Sequence, residues 1–169
     1  MTPRVVLIGP PGAGKTSIGR ALAKSLDVDF ADTDSLIEAD QGKSVAQIFI
    51  DDGEVIFRKV EERICLQALG EQGGVLSLGG GSVLTPSVAT SVRKSNADVI
   101  FLDVTLAVAA PRIGFNRDRP LLLNNPRQKW QSLMDARRPV YESLATSIVK
   151  VGDRSVSQVV KEILPMVSI

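Results

Sequence analysis

Residues Gly9 to Thr16 read G-P-P-G-A-G-K-T, directly after a compact apolar run, Val5-Val6-Leu7-Ile8, and at the start of a helical pattern over about 15–26. This is the phosphate-binding pattern G-x-x-x-x-G-K-[ST] in the strand–loop–helix setting it requires. Such a loop works only where a buried strand delivers it to a helix N-terminus, so it constrains the fold more than any other feature. Gly9, Gly12 and Gly14 carry no Cβ, which lets the backbone turn its N–H groups inward as a cradle for phosphate oxygens. The helix that follows adds the positive end of its dipole. The expected ligand is a nucleoside triphosphate. Its phosphates fall to Gly12, Ala13, Gly14, Lys15, Thr16 and Ser17, with Lys15 on the β/γ-phosphates and the Thr16 hydroxyl on Mg²⁺.

The other 161 positions fit one domain spanning 1–169: a chain of 169 residues buries a continuous core without staples. A formal charge of +1 offers no global field for nucleic acid or an anionic membrane, so anion recognition must be local. The single cysteine, Cys65, lies in an apolar helical pattern and has no intrachain partner, which points to a reducing cytoplasm. Apolar stretches are far short of the ~20 residues that span a bilayer, and no basic-then-apolar leader precedes the first strand. The absence of histidine removes imidazole bases and Ser-His-Asp triads. Chemistry must rest on carboxylates, Arg, Lys and Mg²⁺.

Short apolar runs at 4–8, 28–31, 75–78, 98–103 and 147–151 alternate with helical patterns at about 15–26, 35–41, 44–51, 54–70, 86–95, 105–113, 126–138 and 156–164. That alternation predicts an α/β fold, a parallel sheet with helices on both faces and ligands at the carboxyl ends of the strands. Ser35 with Glu38 and Ser44 with Gln47 have capping-box spacing, and Asn125 before Pro126 reads as an N-cap followed by proline at the first helical position. Pro139 is expected to kink or end the helix begun at Pro126 and so to aim Arg137 away from solvent. The stretch 114–125, which lacks periodicity, reads as a mobile loop.

Three clusters select among phosphate-loop chemistries. Asp32 and Asp34 flank Thr33 at the end of the second strand candidate, and period-two geometry would point both the same way; one carboxylate could serve Mg²⁺ and the other an attacking hydroxyl, or both could serve a helix N-terminus. Arg58 and Glu61 share a helix face, which makes either a preorganised fork for a substrate carboxylate or a surface salt bridge. Gly79, Gly80 and Gly81 close a strand and permit close approach. Asp103, after the apolar run 98–102, is a rival for the Mg²⁺ site.

Taken together, G-P-P-G-A-G-K-T, D-T-D at 32–34, F-R at 57–58 with Glu61, L-G-G-G at 78–81, R-P-L-L at 119–122 and R-R-P-V-Y at 137–141 resemble the shikimate kinase family, in order and over nearly the whole chain. The resemblance implies a three-layer α/β/α fold of the nucleoside-monophosphate-kinase type with a five-stranded parallel sheet, a substrate-binding region near 33–61 and a lid near 112–124. It implies transfer of the γ-phosphoryl of ATP to the 3-hydroxyl of shikimate. By family roles Asp34 binds the acceptor and orients or deprotonates its hydroxyl, Arg58 and Arg137 grip the carboxylate, Gly80 and Gly81 meet ring hydroxyls by backbone, and Phe49 and Phe57 wall the ring. Lys15 and Arg119 stabilise the transferring group, Thr16 and Asp32 hold Mg²⁺ directly or through water, and Arg112 stacks on adenine. Arg154 is the matching second adenine contact, although its loop, 151–156, is short and lacks the family's proline. The expected ligands are ATP or ADP, Mg²⁺ and shikimate, with no nucleic acid or membrane partner, in a cytoplasmic monomer. Another small-molecule or nucleoside monophosphate kinase is the nearest alternative, and a non-catalytic nucleotide switch the more distant one.

Overall fold

The computed structural model describes residues 1–113 and 125–168. Five strands, β1 (Pro3–Ile8), β2 (Phe30–Asp32), β3 (Gly74–Ser77), β4 (Asp98–Asp103) and β5 (Ser147–Lys150), form one all-parallel sheet in the order β2-β3-β1-β4-β5. The central strand explains why Val5 to Ile8 are all apolar: each is at most 1% exposed, as a parallel strand covered on both faces requires.

The helices are α1 (Lys15–Leu26), α2 (Thr33–Gln41), α3 (Val45–Glu71), α4 (Pro86–Lys94), α5 (Leu106–Ile113), α6 (Pro126–Leu144) and α7 (Val156–Ile163). Right-handed crossovers fix their sides. The step from β1 out to β2 runs opposite to the steps β2→β3, β3→β4 and β4→β5, so α1 lies on one face and α3, α4 and α6 on the other. Accordingly α1 packs on α7, while α3 meets α4 and α4 meets α6. The neighbouring strands β1 and β3 therefore send their chains to opposite faces, which opens a crevice at their carboxyl ends. The phosphate loop leaves β1 there, and the three glycines leave β3.

Local chemistry moves several boundaries from their sequence positions. β2 begins at Phe30 because Val28 N–H still donates to Ala23 O of α1. α2 begins at Thr33, two residues before the expected Ser35 cap, because the Asp32 carboxylate accepts from Asp34 N at 2.9 Å and caps it instead. Glu38 is turned to Val45 N at 2.8 Å and closes no box with Ser35. Ser44 does cap α3, accepting from Gln47 N at 3.1 Å. The two helical patterns at 44–51 and 54–70 form one element broken at Gly53, whose φ of 83° and ψ of 169° are open only to glycine. Asn125 and Pro126 start α6 as expected, with no side-chain cap bond.

Of the two outcomes expected at Pro139, a kink or an end, the structure excludes the end: α6 continues through it to Leu144. Trp130, Met134, Arg137, Tyr141 and Leu144 form its buried stripe at helical spacing, and burying the last turn offsets the ~3 kcal/mol that an interior proline costs. Arg137 is nonetheless only 4% exposed. A second small core, Ile37, Val45, Ile48, Phe57 and Ile64, sits beneath α2 and the first half of α3 and gives the region 33–61 its own support.

Candidate active site

The loop after β1 has the geometry its sequence requires. Gly12 has φ 83° and lies so close to α5 that a Cβ would stand 2.9 Å from that of Ala109. Lys15 Nζ donates back to Gly9 O at 2.8 Å and Pro10 O at 3.1 Å, which holds the ammonium over the loop's own arc. Trp130 Nε1 donates to Pro11 O at 3.0 Å and ties the loop to α6. A cavity of about 540 Å³ opens over this loop and is lined by Gly12, Gly14, Lys15, Thr16 and Ser17, among others; Ala13 is buried behind them. Asp32, Asp34, Arg112 and Arg154 line it too.

Thr16 Oγ1 donates to Asp32 Oδ2 at 2.8 Å, so two oxygens able to ligate a cation meet at the cavity over the phosphate loop. That set suits Mg²⁺, which takes few protein oxygens and completes its shell with phosphate and water. Asp103 does not join it. Its two oxygens are each 2.9 Å from the Arg138 guanidinium, and the pair raises the pKa of Arg138 above its ordinary value, the Asp103 bond being the main cause and burial opposing it. Asp34 reaches the cavity from the first turn of α2 rather than from a strand, so period two is not what aligns it with Asp32; the Asp32 cap is.

The glycine turn after β3 gathers the rest. A Cβ at Gly79 would stand 2.9 Å from Glu61 Oε2 and 3.1 Å from Asp34 Oδ1. At Gly81 it would stand 2.8 Å from both terminal nitrogens of Arg58 and 3.0 Å from Arg137 Nη2, and at Gly80 it would stand 3.2 Å from Arg137 Nη1. Carboxylates thus crowd one end of the turn and guanidinium groups the other. Arg58 is braced by buried Glu61 at 2.7 Å and by exposed Glu54 at 3.5 Å. Arg137 Nε is buried with no hydrogen-bond partner among the described residues. A second cavity, of about 680 Å³, reaches this guanidinium pair between Leu84, Pro86 and Leu133.

Phe49 and Phe57 stand eight residues apart on α3, about 12 Å along a straight helix. The break at Gly53 brings their rings edge to face with centroids 4.6 Å apart. Phe57 is fully buried, Phe49 partly so, and the Arg58 guanidinium lies 5.3 Å from the Phe57 ring centre. Arg112 Nη1 donates to Gly12 O at 3.2 Å, at the end of α5. Arg154 is bonded to Val151 O and Lys150 O and paired with Glu162 at 2.6 Å, which fixes it on the turn before α7. Arg119 and most of the expected lid lie outside the described residues.

Sequence reasoning missed the supports of the turn. Thr33 Oγ1 accepts from Gly79 N at 3.0 Å, Ser82 Oγ donates to Gly79 O at 2.7 Å, and Tyr141 Oη donates to Gly80 O at 2.6 Å. The signal available was a buried stripe on α6 that places a tyrosine one turn beyond Arg137. Cys65 lies beneath this cluster; burial first and the charge of Glu61 second push its thiol up to about 12.

The shikimate kinase family model matches residues 11–168. The chain belongs to the shikimate kinase family. Shikimate kinase of Thermobifida fusca is 46% identical over 153 residues, covering 90% of this chain and 88% of that one. That of Rhodococcus jostii is 42% identical and covers 97% of both. Among solved structures, shikimate kinase from Acinetobacter baumannii in complex with shikimate superposes with a TM-score of 0.93 at 30% identity, covering 98% of this chain and 93% of that chain. A gluconokinase from Sinorhizobium meliloti, at 21% identity and a TM-score of 0.56, shares the fold alone.

Proposed function

We propose that the crevice between β1 and β3 is where this chain carries out its family's reaction, transfer of the γ-phosphoryl group of ATP to the 3-hydroxyl of shikimate. The observation that carries the reading is the polarity of the glycine turn: Asp34 and Glu61 at Gly79, Arg58 and Arg137 at Gly80 and Gly81. A small polyol acid has the same division, hydroxyls on one side and a carboxylate on the other. A phosphate switch has no use for it.

In this reading ATP lies along the first cavity, its phosphates in the loop of Gly12, Ala13, Gly14, Lys15, Thr16 and Ser17 and its adenine between Arg112 and Arg154. Thr16 and Asp32 would hold Mg²⁺, which when bound would neutralise phosphate charge. Lys15 leaves its loop carbonyls for the β/γ-phosphates. Asp34 accepts from the 3-hydroxyl and aligns it, and accepts its proton as the new P–O bond forms and the bond to the β-phosphate oxygen breaks. Arg58 and Arg137 hold the carboxylate, which does not react, and so fix the acceptor's orientation. Phe49 and Phe57 form an apolar wall, and Arg119 joins the phosphoryl group. The region 33–61 serves the acceptor and 112–124 covers the donor, within one domain. We also infer a cytoplasmic monomer acting on small molecules without nucleic acid or membrane; a near-neutral chain and a free, buried Cys65 support this.

The test is ADP release in a coupled assay with ATP and Mg²⁺. Shikimate should start turnover, and gluconate and nucleoside monophosphates should not. Equal turnover without shikimate would overturn the reading.

A further inference from the structure

The turn that faces the acceptor is built from two adjacent glycines, and that creates a problem which a third residue solves. Ser82 N donates to Gly79 O at 3.1 Å, so residues 79–82 form a β-turn with Gly80 and Gly81 at its centre. Gly81 has φ −95° and ψ −5°, the third-position values of a type I turn. Types I and II differ by a flip of the central peptide, and the flipped form needs positive φ at the third position. Any residue with a Cβ resists that flip, whereas glycine does not. A Cβ at position 81 would push the guanidinium groups of Arg58 and Arg137 out of place. The site therefore requires a residue that leaves its own central peptide free to invert.

We infer that Tyr141 is a positioning residue that holds the Gly80–Gly81 peptide in its type I orientation. The buried Tyr141 hydroxyl donates to Gly80 O at 2.6 Å. In a trans peptide the carbonyl and the following N–H point in opposite directions, so pinning Gly80 O towards α6 directs Gly81 N–H away from it. The neighbouring peptide is pinned likewise, with Gly79 O bonded by Ser82 Oγ at 2.7 Å as well as by Ser82 N. Gly80 and Gly81 are buried, and neither of their amides donates to an acceptor among the described residues. Two adjacent buried amides with pinned carbonyls are donors awaiting a ligand. Tyr141 also lies one turn from Arg137 on α6, so one helix supplies both the cation and the peptide's orientation. This inference rests on the proposed acceptor site.

Tyr141→Phe removes the hydroxyl and keeps the ring, which packs on Phe101 at 5.0 Å between centroids. Calorimetric titration of shikimate should show affinity weakened about five- to tenfold, the scale of one buried hydrogen bond, with binding of a non-hydrolysable ATP analogue changed less than about twofold. Shikimate KM should rise likewise with kcat nearly kept. In ¹⁵N relaxation measurements on the ligand-free protein, the Gly81 amide should show exchange broadening in Tyr141→Phe and none in the parent. Phe101→Leu, which disturbs the ring packing but retains the hydroxyl, should lower the melting temperature without the rise in KM. A folded Tyr141→Phe protein that binds shikimate as the parent does, or equal KM shifts in both variants, would overturn the inference. Failure of the parent to use shikimate would sink the proposed function instead, while the Gly81 amide measurement would still report on the turn.

Discussion

One methyl group at position 81 separates binding from folding. In Gly81→Ala the new Cβ would press on the guanidinium ends of Arg58 and Arg137 and displace them from the turn. The backbone there has ordinary negative φ, so the fold tolerates alanine. The melting temperature should move little, while shikimate KM rises at least about tenfold through loss of the bidentate grip; a variant with parental KM would show that the guanidinium groups do not meet the acceptor. Lys15→Met should behave oppositely. A fixed cation at developing charge contributes several kcal/mol, so kcat should fall by about two to three orders of magnitude with shikimate affinity kept, as single-turnover kinetics and titration can check. Cys65 gives a third test. Its folded pKa of about 12 stands above the ordinary 9.0, so the protonated thiol's contribution to stability is fully present below pH 9 and is lost as pH rises towards 12. Cys65→Ala should flatten that alkaline loss, and the parent thiol should resist alkylation at pH 8 until denaturant is added.

At the scale of elements, Gly53 is a joint rather than a spacer. Nothing lies within 4 Å of a Cβ there, yet its backbone conformation is closed to alanine. Gly53→Ala should cost roughly 1–3 kcal/mol in urea unfolding and should weaken shikimate binding by separating Phe49 from Phe57, with ATP binding unaffected. The elements themselves were legible in sequence, because short apolar runs, the 3.6 period and the phosphate loop are local properties. Their ends were less so. Ser35 and Glu38 had the spacing of a capping box, but Asp32 already stood in extended conformation two residues before Asp34 N and took the cap. Pro139 looked like a kink or a stop, and only the buried Tyr141 and Leu144 beyond it explain why α6 goes on.

Over the whole molecule, the order β2-β3-β1-β4-β5 brings together residues far apart in the chain: Arg58 beside Arg137, Gly80 beside Tyr141, Pro11 beside Trp130. No periodicity encodes those meetings, so the bonds of Tyr141, Thr33 and Ser82 to the glycine turn went unread, while the phosphate loop, which is contiguous, was visible as a motif. Arg58 with Glu61 and Arg137 before Pro139 stood out as single residues, but their pairing on one acceptor carboxylate was legible only through likeness to a family. The same convergence makes the pocket a handed object. Its guanidinium end, its carboxylate end and the phosphate loop stand around a buried glycine turn that closes one side, and a chiral ring entering from the open side can satisfy all three in only one sense. The mirror image of shikimate can lay its carboxylate on the arginines but must then turn its 3-hydroxyl from the phosphate donor. It should therefore act as a weak competitive inhibitor that is never phosphorylated, and a racemic acceptor should stop at half conversion.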